Sequence, residues 1–270
     1  MHRRPLSRSG NRPVRRQVIR LSIRLLLVAT TVGLLALLLS GIEYHWNWRV
    51  VYTYRELYIQ GFGHTLGVSA GAILLGLAIG VTGGICRVWP NVWLNEVAGL
   101  YVECFRGTPL LVQIYIFYFC LATIVHYENA LVIGMVALAC FSGAYITEMV
   151  RAGVESIDAG QWEAALATGL SYGQALAWVV FPQALRRVIP PVAGQFVSLI
   201  KDSSLLSVIS VRELTKASEV VNATTYKTFE AYLPLAVFYL VLTYPLSTLT
   251  QWLERRIRQE SQPPSLGRRV

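Results

Sequence analysis

Two ionisable residues, Lys201 and Asp202, interrupt an otherwise apolar stretch that runs from residue 188 to residue 211. An ionisable side chain at membrane depth is costly, so it is expected to face a cavity or a partner. Lys201 could pair with the carboxylate of a zwitterionic solute, and Asp202 could pair with its ammonium group. We therefore predict that these two residues, with Ser203 and Ser204, line a solute path at a helix break. The alternative is a structural ion pair or a position at the outer membrane interface.

A second candidate site is Gly67-Val68-Ser69-Ala70-Gly71, which matches the G-x-S-x-G pattern of serine hydrolases. That pattern needs a sharp strand-to-helix turn and a histidine that activates the serine. Ser69 instead falls in a long uncharged stretch, and His126, the one histidine that follows it, falls in a predicted loop. Small residues at four-residue spacing favour close packing of another helix over a rhomboid-like intramembrane protease. The glycines concerned are Gly67, Gly71, Gly76, Gly80 and Gly84.

Six apolar stretches supply the elements that position these residues. Five of them contain no Asp, Glu, Lys or Arg over at least 18 residues, and the sixth is the stretch 188–211. At about 1.5 Å per residue, such a stretch nearly or fully crosses a hydrocarbon core of about 30 Å. With 54% hydrophobic residues, the sequence predicts an all-α membrane protein with about six transmembrane helices. The five uncharged stretches are Leu25–Ile42, Leu57–Cys86, Gly107–Tyr127, Asn129–Thr147 and Ala231–Leu253.

The net charge of +9 comes from basic residues at particular places along the chain. With the N-terminus in the cytoplasm and six spans, the cytoplasmic segments hold 18 Lys and Arg and the outer segments hold 6. The mixed segment 87–106 then lies at the inner face. This asymmetry follows the positive-inside rule and predicts that both termini are cytoplasmic. The basic N-terminal tail therefore indicates contact with lipid headgroups, and no nucleic-acid partner is expected.

The segment 148–187, also predicted at the inner face, is too polar to span a membrane and too apolar to be a linker. Asp158 and Gln161 have the spacing of an N-cap and the third helical residue, which predicts a variant capping box at the start of a short helix. Gly169 is a natural stop for that helix, because the chain must reverse there. The small side chains of residues 163–165 would suit docking into a groove on another protein.

A second helix is predicted directly after this turn. Ser171 and Gln174 repeat the capping spacing and open it. The helix meets Pro182 and is predicted to end by Pro190-Pro191, because proline removes a backbone donor and restricts the residue before it.

Three parts of this segment together resemble the signature of permease subunits of binding-protein-dependent ABC importers. The signature reads E-A-A, three residues, G, nine residues, I-x-L-P, and the spacing here matches it throughout. The matching residues are Glu163-Ala164-Ala165, Gly169 and Val179-Val180-Phe181-Pro182, in which Val179 and Phe181 replace Ile and Leu. The branch that takes up polar amino acids is similar at Tyr101–Gln113, Pro182–Arg187 and Lys201–Leu205, and the resemblance runs from about Gly61 to Leu253.

The resemblance implies a type I ABC importer permease fold with one extra N-terminal helix and a cytoplasmic coupling helix at 158–169. It implies three protein partners: a cytoplasmic ATP-binding subunit, a second permease of the same or a related chain, and a periplasmic or surface solute-binding protein. The residues expected to couple to the ATP-binding subunit are Glu163, Ala164, Ala165, Gly169 and Pro182. The chain has no G-x-x-x-x-G-K-[ST] loop, so no cofactor or enzymatic activity is expected on it, and ATP with magnesium is expected on the partner.

The predicted organisation is that of a multi-pass protein of the bacterial cytoplasmic (inner) membrane. It comprises a basic tail (1–20), an extra N-terminal span (21–42), an outer loop (43–60), a permease core (61–253) containing the coupling segment 148–187, and a cytoplasmic tail (254–270). We expect no cleavage of the first apolar stretch, which is long for a signal peptide and lacks a following A-x-A site. A secondary transporter or channel subunit is the alternative, and it would need more intramembrane charges or inverted repeats.

Overall fold

The structure is a computed structural model and describes residues 12–41 and 43–260. This part of the chain is helical, contains no strand and divides into two compact units, one ending at Trp46 and one beginning at Asn47. The predicted tails 1–20 and 254–270, and Ile42 in the first predicted span, lie partly or wholly outside the described residues. The described helices are α1 (Arg12–Ser40) in the first unit and, in the second, α2 (Arg49–Thr53), α3 (Arg55–Val88), α4 (Val92–Arg106), α5 (Leu110–Ile124), α6 (Ala130–Glu155), α7 (Ala159–Ala167), α8 (Tyr172–Ile209), α9 (Leu214–Thr225) and α10 (Thr228–Glu260).

Among the described helices, four are long and apolar enough to cross a membrane: α3, α6, α8 and the part of α10 from Thr228 to Ile257. A fifth span results if α4 and α5, which are bent by 104° at the break between them, cross together. The described part of α1 contains a shorter apolar run, Leu25–Leu34. The all-α membrane fold is therefore confirmed, whereas the count of six spans and the extra N-terminal span stay predictions.

The stretch Gly107–Tyr127 contains one helix, α5, which passes the test for a membrane span only together with α4, from which it is bent by 104°. Pro109 is the N-cap of α5, and because proline disfavours a helical residue before it, the chain leaves the helix between α4 and α5. Gln113 holds this corner, since its Nε2 donates to the carbonyl of Phe105 at 2.7 Å. Most of the mixed segment 87–106, predicted as an inner-face region, is thus helix α4, one arm of a bent helix pair.

The helices α3 and α6 pack closely along the predicted glycine face. A methyl group added at Gly71, Gly76, Gly80 or Gly84 would overlap a side chain of α6. Gly67 differs, because a methyl group there would meet no heavy atom within 4 Å. The prediction of a close helix approach is therefore confirmed for four of the five glycines. The α6 residues that would be overlapped are Met135, Ser142, Ile146 and Val150.

The helix α8 continues through Pro182 and through the pair Pro190-Pro191. The sequence predicted an end by that pair, and this prediction is wrong. Val188 and Val192, on either side of the two prolines, lie in the buried core that α8 shares with α3 and α6. Burial of these side chains outweighs the loss of two backbone donors, so packing keeps the helix together where local propensity would end it.

Candidate functional site

The short helix α7 is capped at its start as predicted, but the capping box does not form. Asp158 is the N-cap, and its Oδ1 accepts a hydrogen bond from the N–H of Gly160 at 2.8 Å. The Oε1 of Gln161 does not reach back to the cap and instead accepts from the Nε2 of Gln183 in α8 at 3.1 Å. The side chain of Gln161, which the capping box required, is thus hydrogen-bonded to Gln183 of another helix. The bond ties α7 to α8.

The turn after α7 forms as the sequence predicts. Gly169 has a φ of +87°, in the left-handed region, and its N–H donates to the carbonyl of Leu166 at 3.0 Å. The capping box of the next helix is complete. The Oε1 of Gln174 accepts from the N–H of Ser171 at 2.9 Å, and the Oγ of Ser171 accepts from the N–H of Gln174 at 3.4 Å. A glycine turn and a capped helix start therefore reverse the chain within a few residues.

The residues Glu163, Ala164 and Ala165 do not share one surface. Glu163 and Ala164 are exposed, whereas Ala165 is 5% exposed and packs against its own chain. Ala165 therefore packs inside the chain, unlike its two neighbours, and its expected contact with another subunit stays a prediction. The exposed side of α7 also includes Leu166 and Ala167. We call Glu163, Ala164, Leu166 and Ala167 the α7 surface.

Pro182 lies in α8 one residue beyond a π-helical turn, Leu176–Val180, with Phe181 between them, and it is exposed. A proline cannot donate to the residue four positions earlier, and the wider π-helical turn accommodates that loss without ending the helix. The next residue, Gln183, donates to the carbonyl of Val179 at 2.8 Å as well as to Gln161. Pro182 therefore lies next to the residue of α8 that is hydrogen-bonded to α7.

An aromatic stack that the sequence analysis did not identify holds α7 to α3 as well. The ring of Trp162 in α7 stacks on Tyr172 at the start of α8, with ring centroids 4.9 Å apart and planes at 22°. The Tyr172 hydroxyl donates to the carbonyl of Val88, the last residue of α3, at 2.7 Å. The rings of Trp89 and Tyr172 are nearly perpendicular, with their centroids 5.9 Å apart. The sequence signal for this stack was the presence of two aromatic residues, Trp162 and Tyr172, in a segment of mostly small and polar residues.

The predicted solute-path residues lie where α8 tightens from α-helix to 3₁₀ helix. The α-helical part ends at Asp202 and the 3₁₀ part begins at Ser203, so the helix changes its geometry here and does not break. Lys201 is exposed, Asp202 and Ser204 are half-buried, and Ser203 is fully buried. The Oγ of Ser203 donates to the carbonyl of Ile200 at 2.7 Å. In the described structure Lys201 and Asp202 do not form the ion pair that was the structural alternative.

A buried carboxylate beyond the end of α8 was also missed. Glu213 is the N-cap of α9 and is fully buried. Its Oε1 accepts from the N–H of Lys216 at 2.7 Å, and its Oε2 accepts from the N–H of Thr215 at 2.8 Å and from the hydroxyl of Tyr239 in α10 at 2.9 Å. Burial raises the pKa of Glu213, although these hydrogen bonds act in the opposite direction. The carboxylate thus joins the start of α9 to α10.

The N-terminal half of α3 contacts the same turn between α8 and α9. The Nδ1 of His64 lies 2.8 Å from the carbonyl oxygen of Arg212, and the Oγ1 of Thr65 accepts from the N–H of Leu214 at 3.2 Å. Gly61 permits this approach, because a methyl group there would lie 3.1 Å from the Cα of Leu214. The helix α3 is therefore bonded to this turn in its first half and to the aromatic stack at its other end.

Ser69, the serine of the G-x-S-x-G sequence, lies within α3 and is 5% exposed. Its Oγ has no hydrogen-bond partner in the part of the chain that the structure describes. A serine nucleophile needs a base within hydrogen-bond reach. Ser69 is therefore a small, buried residue within a packed helix, and the intramembrane protease stays the alternative prediction.

Comparison with known proteins gives a family match over most of the chain. Residues 62–259 match the model of the family described as "Binding-protein-dependent transport system inner membrane component". The chain is 38% identical over 217 residues to the probable glutamine ABC transporter permease protein GlnM of Bacillus subtilis, covering 79% of this chain and 99% of that protein. It is 37% identical over 214 residues to the glutamine transport system permease protein GlnP of Escherichia coli K12, covering 78% of this chain and 98% of that protein.

Solved structures show the same architecture. A chain of the "Crystal structure of an amino acid ABC transporter with histidines" superposes with a TM-score of 0.73 at 33% identity, covering 79% of this chain and all of that one. A chain of the MetNI methionine ABC transporter superposes with a TM-score of 0.66 at 20% identity, which shows a shared fold. The matched region begins at residue 62 and agrees with the resemblance seen from Gly61 onwards.

Proposed function

Because the chain belongs to the family of inner membrane components of binding-protein-dependent transport systems, we propose that it is the permease subunit of an ATP-driven amino-acid importer. The two relatives at 38% and 37% identity are permeases of glutamine transport, and the structural neighbour at 33% identity is an amino acid ABC transporter. The resemblance of Tyr101–Gln113 and Lys201–Leu205 to the polar-amino-acid branch supports the same cargo class. We take a polar amino acid as the substrate and glutamine as the first candidate.

The observation that carries this proposal is the construction of α7. The Asp158 cap, the Gln161–Gln183 hydrogen bond and the stacking of Trp162 fix the helix against its own chain. The α7 surface is left exposed, and two of its four side chains are alanines. A short helix that is held in place and carries short exposed alanine side chains fits a cleft on another protein. In this family that protein is the cytoplasmic ATP-binding subunit, and the Gly169 turn and Pro182 set the angle at which α7 is presented.

Energy is supplied outside this chain. The sequence contains no G-x-x-x-x-G-K-[ST] loop and no Gly-Lys pair. Such a loop supplies the backbone N–H groups and the lysine that hold nucleotide phosphates. ATP and magnesium therefore bind to the partner subunit, and this chain has no catalytic residues of its own in the proposal.

The remaining assignments follow from the same function. Lys201, Asp202, Ser203 and Ser204 line the solute path at the tightened end of α8. A second permease, the same or a related chain, supplies the other half of the path, and an external solute-binding protein delivers the amino acid. The positive-inside asymmetry supports a cytoplasmic position for both termini, and with them for α7, in the inner membrane. The core 61–253 is preceded by one extra span at 21–42.

Co-purification with the ATP-binding subunit tests the proposal. Ala164→Arg places a long charged side chain on the α7 surface and should abolish both complex formation and ATP-dependent uptake. Ala223→Arg is the matched control, because Ala223 is also an exposed helical alanine but lies in α9. An intact complex with normal uptake in Ala164→Arg would refute docking at α7. Uptake by the wild-type chain without any ATP-hydrolysing partner would indicate the alternative, a secondary transporter or channel. An uptake screen over the common amino acids identifies the substrate.

A further inference from the structure

We propose that Tyr172 is a positioning residue that joins α7 to α3, so that a displacement of α7 by the ATP-binding subunit is carried along α3. The inference deepens the proposed function and rests on it, because α7 is displaced only if it docks on that subunit. Tyr172 lies outside the signature residues and does not belong to the α7 surface. Its role is assigned from its two contacts.

The two parts of the Tyr172 side chain hold different helices. The ring stacks on Trp162 of α7, and the hydroxyl donates to the carbonyl of Val88 at 2.7 Å. Val88 is the last residue of α3, where carbonyls have no donor within the helix. The phenol therefore acts as a cap for α3 that is supplied by the segment carrying α7. Among the described residues, this is the hydrogen bond that joins the start of α8 to α3.

The helix α3 is suited to carry a movement over a long distance. It is continuous over 34 residues, which is about 51 Å at about 1.5 Å per residue. The glycine face packs it against α6, so that the two helices resist sliding past one another. Towards its N-terminus, His64 and Thr65 bond α3 to the turn that follows the solute-path residues of α8. Tyr172 therefore connects α7, through α3, to the region of the proposed path.

The Gln161–Gln183 bond does not provide the same connection. It joins two neighbouring exposed side chains of α7 and α8 and involves neither α3 nor the turn before α9. Loss of that bond should loosen α7 locally. Loss of the Tyr172 hydroxyl should instead leave α7 in place and separate its movement from that of α3.

The test compares Tyr172→Phe with Tyr244→Phe in proteoliposomes that contain the complete importer. Tyr172→Phe keeps the ring and removes the hydroxyl. Tyr244 in α10 is 67% exposed, so it serves as the control. Amino-acid uptake and phosphate release are measured on the same vesicles. We expect Tyr172→Phe to lower the uptake per ATP hydrolysed about fivefold, equivalent to about 1 kcal/mol or one net hydrogen bond, with unchanged complex assembly. Tyr244→Phe should leave the ratio unchanged.

Each outcome has one interpretation. If Tyr172→Phe keeps the wild-type ratio, or lowers only the yield of complex, the residue is structural and the inference is wrong. If Ala164→Arg disrupts the complex while the ratio in Tyr172→Phe is unchanged, α7 docks as proposed and only the role of Tyr172 fails. If Ala164→Arg leaves the complex intact, docking at α7 fails, and the inference fails with it.

Discussion

Replacing Gly169 by alanine should weaken the turn after α7 through the backbone alone. Its φ of +87° lies in the left-handed region, and a methyl group built on it would have no heavy atom within 4 Å. Steric contact therefore contributes nothing to the effect. An L-residue in a left-handed conformation costs about 1–2 kcal/mol. At about 1.4 kcal/mol per factor of ten, the native turn would be disfavoured about 5- to 30-fold relative to other conformations.

The assay is the affinity of the purified permease for its ATP-binding subunit, with ATP-dependent uptake as the second measurement. Affinity should fall in the order Gly, Asn, Ala, Val at position 169, because asparagine tolerates the left-handed region and a β-branched residue does not. Gly67→Ala is the matched control. Its methyl group also meets open space, but Gly67 is helical, so alanine should be favoured there by about 0.5–1 kcal/mol.

Equal affinity and uptake for Gly169→Val and Gly169→Asn would refute this reasoning. It would mean that the turn does not keep its conformation when the subunits assemble. A loss in Gly67→Ala as large as that in Gly169→Ala would show that any added methyl group is harmful, and the backbone explanation would then fail.

Three further predictions concern the packing, a buried carboxylate and the solute path. Gly80→Leu should lower the unfolding temperature in detergent, because overpacking costs about 1–3 kcal/mol, whereas Gly67→Leu, at an open position, should not. Burial raises the pKa of Glu213 in the folded protein above its ordinary value of 4.5. Glu213 should therefore stabilise the folded protein increasingly as the pH falls from the raised pKa towards 4.5. This stability is lost as the pH rises through the raised pKa. Thermal unfolding across that range should show a flatter pH dependence for Glu213→Gln, and an unchanged dependence would contradict this. Lys201→Ala and Asp202→Ala should each alter the KM or kcat of uptake, and unchanged kinetics in well-expressed variants would exclude them from the path.

The features that the sequence predicted correctly depend on residues close together in the chain. The Asp158 cap, the Gly169 turn and the box of Ser171 with Gln174 each involve residues at most three positions apart. Backbone geometry and short side chains determine such features, so spacing alone identifies them. The glycine face of α3 was predictable for a similar reason, since helix periodicity places those residues on one side.

The features that were missed depend on contacts between distant residues. Tyr172 and Val88 are 84 positions apart, and Glu213 and Tyr239 are 26 apart. A local sequence pattern does not predict which distant carbonyl will accept a hydrogen bond from a tyrosine hydroxyl. A distant contact also explains why the predicted capping box of α7 does not form. Gln161 has the right spacing for the box, but its side chain accepts a hydrogen bond from Gln183, 22 positions away. Tertiary contacts decided these cases against local propensity.

The continuation of α8 through Pro190 and Pro191 also determines how this helix can bend. The carbonyls of Arg186 and Arg187 have no backbone donor four residues further on, so two successive rungs are missing from the hydrogen-bond ladder. A helix bends more easily where such bonds are missing, and Pro182 removes a further backbone donor closer to α7. The part that is bonded to α7 can therefore change its angle relative to the end that carries Lys201 without any residue unwinding. The proline pair is therefore a position at which α8 can bend between the part bonded to α7 and the end that carries Lys201.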